Sequence, residues 1–419
     1  MLNNHNTFYS YAAEQYKKIG VDPEEALRRL AGIAVSVHCW QGDDVRGFEG
    51  SDTLTGGITA TGNYPGRARN AAELMADFDA AMRLVPGKKR LNLHASYAIT
   101  EQPVERDALL PEHFAPWVTF AKERGYGLDF NPTFFSHPKS ADNLTLSHPD
   151  DEIRNFWIRH GKACRRIAAS FGEALGSPSL CNIWIPDGYK NTPADRLSPR
   201  LRLKASLDEI FADRYDPRYI IDSVESKVFG LGLEAYTVGS SEFYLNYAAR
   251  KEGVYNLLDN GHYHPDEKVS DKISAMLAFC DRLPLHVTRP LHWDSDHVVL
   301  LEDELLAIAG EIIAAKAEDK AIIGLDYFDA SINRVAAWVI GTRNMQKALL
   351  HALLTPYDEL SRMQEAGDFT GILAAGEDQK TLPFGEIWAE YCRRQGVPTD
   401  GEWYKAVQEY EETVLKKRV

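Results

Sequence analysis

Two rhythms alternate along the chain. Short runs rich in β-branched residues recur at 32–40 (GIAVSVHCW), 90–97 (RLNLHASY), 126–134 (YGLDFNPTF) and 179–187 (SLCNIWIPD). The second half repeats them at 222–229 (DSVESKVF), 254–261 (VYNLLDNG), 283–289 (LPLHVTR) and 321–328 (AIIGLDYF). Apolar runs of this length, bounded by turn residues, read as strands covered on both faces. Between them apolar residues recur three and four apart. That spacing predicts amphipathic helices at 71–84, 112–124, 150–174, 241–252, 266–280 and 303–317. Strand–helix alternation joins parallel strands by crossovers. Eight such units predict an α/β fold closed into a (β/α)8 barrel rather than an open sheet. A doubly wound open sheet would carry a GxGxxG turn after a strand, and none is present.

Helices flank the barrel pattern. Residues 7–31 predict one or two before the first strand, with Asp22 as N-cap and Pro23 at the first helical position. Beyond the last strand the pattern stays helical, and 363–419 breaks near Gly367 and at Gly396-Val397-Pro398. The expected division is a catalytic barrel over 1–345, N-terminal helices included, and a helical extension over 346–419. Such an extension packs on the barrel or on a neighbouring subunit.

Composition narrows the function. A chain of 419 residues that is 44% hydrophobic and 26% charged can form one decorated barrel; such barrels run to ~250 residues before insertions. Forty-seven basic against 61 acidic residues leave a net charge of −14. An acidic surface repels phosphate backbones, so nucleic acid is not an expected partner. Five scattered cysteines without a CxxC pair argue against a disulfide framework and a thiolate zinc site, and fit a reducing cytoplasm. The N-terminus has no apolar signal core, and no run is long enough to cross a bilayer.

The chemistry concentrates in the second half. Glu225 and Lys227 lie in the fifth run, and Asp259 and His262 at the end of the sixth. His286 lies in the seventh, followed by Asp294 and Asp296, and Asp326 ends the eighth. The ends of barrel strands converge on one mouth, where active sites sit. A carboxylate within an apolar strand is costly unless it is paired or bound to metal. One such residue alone reads best as a hydrogen-bonded core group; four successive strands carrying them point to a site. Carboxylates with a few imidazoles and no thiolate favour Mn²⁺, Mg²⁺ or Co²⁺ over structural zinc. Two ligand sets are available: Glu225, Asp259, His286 and Asp326, and beside them His262, Asp294 and Asp296. Two ions can clamp adjacent oxygens, such as those of a sugar C1–C2 unit. Lys227 would face the same way as Glu225, either to stabilise negative charge on substrate or to pair with one of these carboxylates.

The stretches SVHCWQGDDVRGFE (36–49), LNLHASY (91–97), NIWIPDG (182–188), VESKVFG (224–230) and EAYTVGSSEFY (234–244) resemble those of L-rhamnose isomerases. So do DNGHYHP (259–265), SDKISAMLAF (270–279), HWDSDHVVLL (292–301) and GLDYFDASINRVAAWVIGTRN (324–344). The resemblance covers nearly the whole chain. It implies a barrel related in architecture to xylose isomerase, a homotetramer, and interconversion of L-rhamnose and L-rhamnulose in rhamnose catabolism. It implies Mn²⁺, with Co²⁺, Mg²⁺ or Zn²⁺ as substitutes. The implied route is a metal-mediated hydride shift between C2 and C1, with metal-bound water or hydroxide as base; an enediol route is the competitor. Carried over by residue, His262, Asp294 and Asp296 match the ligands of the catalytic manganese, and Glu225, Asp259, His286 and Asp326 those of the second metal. Lys227 matches a substrate-contacting residue, and Lys227 and Asp326 are the catalytic candidates. His94 and Trp184 match residues lining the sugar pocket.

Other candidates weigh less. Trp184 taken alone also fits ordinary packing. His38, Trp40, Asp43 and Asp44 follow the first strand and can shape the pocket without holding metal. His137 is a looser loop candidate. His264 and His297 are expected to orient neighbouring ligands, with surface exposure as the plainer alternative. A barrel phosphodiesterase shares the ligand logic but needs a basic groove, which the acidic balance opposes. A non-catalytic sugar-binding protein would gain little from buried carboxylate sets.

Overall fold

Eight strands form in the places the pattern marks. A computed structural model of the chain describes residues 2–49, 58, 60–399 and 401–418. The strands are β1 (Ala34–His38), β2 (Lys88–His94), β3 (Gly127–Asn131), β4 (Ser179–Ile183), β5 (Ile220–Glu225), β6 (Val254–Asp259), β7 (Leu283–Val287) and β8 (Ala321–Leu325). They pair in parallel, each with its neighbour in sequence, and β8 pairs with β1 to close the barrel. β4, β5 and β7 are buried at every residue, as strands covered on both faces must be.

Every predicted strand overruns its C-terminal end by a few residues. After the last ladder pair the chain leaves the sheet to wall the mouth, and it stays apolar there. Trp40, Tyr97, Phe134 and Trp184 all lie beyond their strands and are buried. Apolar content alone does not separate such loops from strand.

The helices α1 (Leu2–Lys18) and α2 (Pro23–Leu30) precede β1. Asp22 caps α2 by accepting from the Glu24 N–H, and Pro23 opens the helix. The crossovers carry α3 (Ala71–Met82), α4 (Ala115–Arg124), α5 (Asp151–Leu175), α6 (Leu197–Ile210), α7 (Ser241–Ala248), α8 (Ser270–Leu277) and α9 (Asp303–Ala314). Sequence periodicity misses α6. Its buried stripe rests on Leu203, Leu207 and Ile210, while Leu197 and Leu201 face solvent and blur the pattern. A short antiparallel pair, Gly188–Tyr189 with Tyr236–Thr237, is also missed.

Helix α10 (Arg334–Leu353) follows β8, then α11 (Tyr357–Glu365), α12 (Phe369–Gln379), α13 (Phe384–Arg394) and α14 (Glu402–Thr413). α13 packs against α1 and α10, and α14 against α3 and α10. Ion pairs Arg394–Glu24 (2.6 Å) and Arg418–Asp77 (2.5 Å) tie these helices to the N-terminal half. No helix among the described residues is long and apolar enough to cross a membrane, and all five cysteines are free thiols.

Inside the barrel the floor is polar. Arg90 of β2 donates to both oxygens of Asp129 on β3 (2.9 and 2.8 Å), and Ser36 of β1 donates to Asp129 Oδ2 (2.6 Å). A fully partnered ion pair is the form in which charge survives burial. It closes the barrel below and leaves the upper interior for the site.

Candidate metal centre

Glu225 and Asp259 are the last residues of β5 and β6, His286 is the last but one of β7, and Asp326 is the first residue past β8. Strand register sets them level: Asp259 pairs with His286, and His286 with Gly324. Gly324 has to lack a side chain, because a Cβ there would lie 2.9 Å from His286 Cδ2. Ligand atoms of Glu225, Asp259, His286 and Asp326 all fall within 4.8 Å of one another, and all four residues are buried. His286 Nδ1 is 3.1 Å from Glu225 Oε2 and 3.1 Å from Asp326 Oδ2.

Two of these carboxylates are held by neutral hydrogen-bond chains. Ser223 Oγ donates to Asn182 Oδ1 (2.8 Å), which fixes the amide so that Asn182 Nδ2 donates to Glu225 Oε2. On the other side Asn131 Nδ2 donates to Asn92 Oδ1 (2.7 Å), and Asn92 Nδ2 lies 2.7 Å from His38 Nε2. The amide fixes the tautomer: Nε2 of His38 accepts, so Nδ1 carries the proton and faces Asp326 Oδ1, 2.7 Å away. His38, His286 and Asp326 also offer ligand atoms within 4.8 Å of one another. Sequence reasoning set His38 apart from the metal set and overlooked Asn92, Asn131, Asn182 and Ser223. For Asn92, Asn131 and Ser223 the one signal was polar residues repeating at every second position of apolar strands, and Asn182 lacks even that.

His262 follows β6 in a tight turn, its N–H bonded to the Asp259 carbonyl (3.1 Å). Its Nδ1 lies 2.7 Å from Glu225 Oε1, and its Nε2 3.4 Å from Asp294 Oδ2. Lys227 Nζ lies 2.8 Å from His262 Nε2 and donates to Asp294 Oδ2. Asp294 and Asp296 come from the loop after β7, where Asp296 takes a positive φ of 34°. The structure therefore brings Glu225, Asp259, His286 and Asp326 within ligand range of one another and sets His262, Asp294 and Lys227 beside them, with Asp296 two residues further along the same loop.

Electrostatics fit a cation. Five carboxylates crowd here, and Lys227 is the one ammonium or guanidinium ion-paired with them among the described residues. Burial, with Glu225 and Asp326 beside it, pushes Asp259 up to about 8. Burial and the neighbouring Asp294 raise Asp296 well above the carboxylate range. Burial alone would depress His286 and His262, but Glu225 and Asp326 at the first and Asp259 at the second carry both well above the ordinary imidazole value. Protons are thus drawn in where positive charge is short. Buried atoms without hydrogen-bond partners among the described residues include Asp259 Oδ2, Asp294 Oδ1 and His286 Nε2. Oxygen-rich donors with imidazole suit a hard or borderline divalent ion.

Aromatic rings flank the centre, with His38 edge-on to Trp40, His94 and His286. His94 stacks on Trp40 (4.2 Å between centroids, 24°), and neither of its buried ring nitrogens has a hydrogen-bond partner. Burial, then the neighbouring His38, hold its pKa well below the usual imidazole value, so it stays neutral. Trp184 stacks on Phe135 (5.5 Å, 25°), and Lys227 Nζ lies 5.5 Å from its ring centroid.

Other candidates separate from the centre. His264 is 62% exposed beside Asp266, which corrects the expectation that it orients a ligand. His137 accepts from the Lys139 N–H and stacks on Phe156, a local cap away from the mouth. Asp43 accepts from Tyr97 Oη (2.5 Å) and the Gly47 N–H (2.8 Å), and burial raises it to about 7. Asp44 pairs with Arg334.

A family model described as L-rhamnose isomerase (RhaA) matches residues 3–418. An L-rhamnose isomerase of Cronobacter sakazakii is 59% identical over 411 residues, which cover 98% of each chain. One of Salmonella paratyphi B is 57% identical with the same coverage. Among solved structures, an L-ribulose 3-epimerase aligns at a TM-score of 0.48 and 10% identity, covering 78% of this chain and 97% of its own.

Proposed function

The chain belongs to the L-rhamnose isomerase family, and on that premise we propose that it interconverts L-rhamnose and L-rhamnulose at the barrel mouth. The observation that carries this is the convergence of buried Glu225, Asp259 and Asp326 at the ends of β5, β6 and β8 with two imidazoles, one ammonium and half-buried Asp294 and Asp296 from the loop after β7. Glu225, Asp259, His286 and Asp326 would hold one Mn²⁺, and His262, Asp294 and Asp296 would hold the catalytic one, with Co²⁺, Mg²⁺ or Zn²⁺ as substitutes. Bound ions supply Lewis-acid polarisation of the sugar's adjacent oxygens.

The chain's residues do the remainder. His94, neutral and with both nitrogens free of protein partners, hydrogen-bonds the sugar's oxygens. Trp184, Phe135 and Trp40 pack against its carbon faces and keep water out. Burial would lower the Lys227 ammonium, but Asp294 and Asp296 hold its pKa above the ordinary lysine value, so it stays charged and stabilises negative charge developing on the substrate. Asp326, fixed by His38, is the second catalytic candidate. In the net reaction the hydrogen on C2 moves to C1 as hydride, and the O2 proton passes to O1.

Treatment with EDTA should abolish aldose–ketose conversion, and Mn²⁺ should restore it. Full activity in chelated protein would refute the proposal. The segment 346–419 is read as a helical extension of the barrel. Free thiols fit a cytoplasmic enzyme. The family implies a homotetramer, which sedimentation would test at four times the 47.1 kDa chain mass.

A further inference from the structure

The loop that carries Asp294 and Asp296 has its root at Thr288, and the backbone ladder does not hold that root on the β6 side. Strands β6 and β7 pair at Leu258–Leu285 and Asp259–His286, and there the pairing ends. On the other side β7 stays paired one residue further, Val287 with Leu325, and the Asp326 N–H then reaches the Val287 carbonyl (3.1 Å). Asn260 fills the gap. Its backbone N–H reaches the His286 carbonyl (3.2 Å). Its side-chain amide donates to the Thr288 carbonyl (2.9 Å) and accepts from the Thr288 N–H (2.7 Å). A primary amide offers one acceptor and two donors, so it can mimic a peptide group and add a rung where the strands part.

The rung lies between the elements that must agree in position. Asp259 and His262 flank Asn260 on the β6 side. On the β7 side the Thr288 Oγ1 donates to the His297 carbonyl (3.2 Å), and Arg289 pairs with His297 to close the loop around Asp294 and Asp296. The far end of that loop is tied to the β8 side through the Phe328 N–H and the Asp296 carbonyl (3.2 Å). The fit is close: a Cβ on Gly261 would lie 3.0 Å from Thr288 Cγ2 and 3.2 Å from Asp294 Oδ1.

We propose that Asn260 is a positioning residue: its amide clamp on the Thr288 backbone sets the loop bearing Asp294 and Asp296 against His262 and so assembles the second of the two metal sets. The inference rests on the two-set reading above. The Glu225 set, which includes the neighbouring Asp259, is aligned by strand register through the Asp259–His286 pair.

Equilibrium dialysis of the full-length chain, chelated and then titrated with Mn²⁺ alone, tests this. Wild type should bind two ions per chain. Asn260→Ala should keep one tight ion and bind the other about 10–100-fold more weakly, the range seen when groups that orient ligands are removed. Asn260→Asp, nearly isosteric, keeps an acceptor for the Thr288 N–H but sets a carboxylate oxygen against the Thr288 carbonyl, and should weaken the same ion. The retained ion reports that the barrel has folded in each variant. Two ions bound at wild-type affinity in both variants would overturn the role of Asn260, even if their thermal midpoints fell. Two ions weakened equally would do the same. A wild-type chain binding a single ion would instead overturn the two-set reading, and this inference with it.

Discussion

Replacing His38 with alanine tests how far the centre depends on groups behind its ligands. The Nδ1–H of His38 meets Asp326 Oδ1 at 2.7 Å inside a wholly buried pair. A hydrogen bond to a charged group contributes about 1.5–3 kcal/mol. That corresponds to roughly a 10- to 100-fold change in an equilibrium constant, matching the usual effect of losing a group that orients a metal ligand. The variant also strands Asn92 Nδ2, whose partner is His38 Nε2, and a buried unsatisfied donor costs about 1–3 kcal/mol of stability. Two readouts therefore move. The Mn²⁺ concentration giving half-maximal isomerase rate should rise about 10- to 100-fold, with much of the rate recovered at saturating Mn²⁺. The unfolding free energy should fall in the same variant. In the double variant with Asn92→Ala the two stability losses should not add, since one chain of hydrogen bonds contains both residues. An unchanged Mn²⁺ requirement with only a stability loss would refute the reasoning and leave His38 a packing residue.

Asp294→Asn should cost more than a hundredfold in kcat, beyond the range for groups that act through another ligand, with the thermal midpoint shifted by no more than a few degrees; a near-normal rate would refute its role as ligand. Turnover in D₂O should place little solvent deuterium at C1 of the ketose, and substantial incorporation would exclude a direct hydride shift. His160 gives an acid-stability test away from the centre: its Nδ1 meets the Arg106 carbonyl (2.9 Å) and its Nε2 accepts from the Thr133 N–H (3.1 Å), so the folded state holds it neutral, and burial lowers its pKa to about 3. A lowered folded pKa favours the neutral form, so this contribution is complete above the unfolded value of about 6.5 and is lost as pH falls from there toward 3, at about 1.4 kcal/mol per pH unit. Urea unfolding of wild type and His160→Gln at pH 7, 6 and 5 should show a steeper loss in wild type, and parallel slopes would refute the assignment.

The residues legible in the sequence were those whose chemistry is unusual for their place. Glu225, Asp259, His286 and Asp326 stood out because a carboxylate or imidazole in an apolar strand needs a reason, and strand register then brought them to one level. The start of helix α2 was legible to the residue because Asp22 and Pro23 do local work. Asn92, Asn131, Asn182 and Ser223 escaped because an amide or hydroxyl in a strand is common, and its meaning lies in which neighbour it faces across the sheet. Asn260 escaped for a related reason: an Asn-Gly pair reads as a turn, whereas its side chain bonds the next strand. His264 misled because it sits in sequence beside His262, yet the turn sends the two side chains apart, one buried and one to solvent.

How the chain distributes its charges explains why the centre suits a cation. The guanidinium groups near the barrel interior are already taken: Arg90 by Asp129, Arg165 by Asp222, Arg106 by Glu49 and Arg334 by Asp44. The carboxylates at the mouth are oriented by groups that bring no formal charge, Asn182 at Glu225 and the Asn92-fixed His38 at Asp326. An arginine in either place would hold the carboxylate as firmly and would cancel the charge that attracts a divalent ion. Neutral donors fix geometry while preserving the negative potential, and the one ammonium admitted, Lys227, sits on Asp294 beside the Trp184 ring. Orientation and charge are thus supplied by separate residues, so either can be altered by mutation without the other.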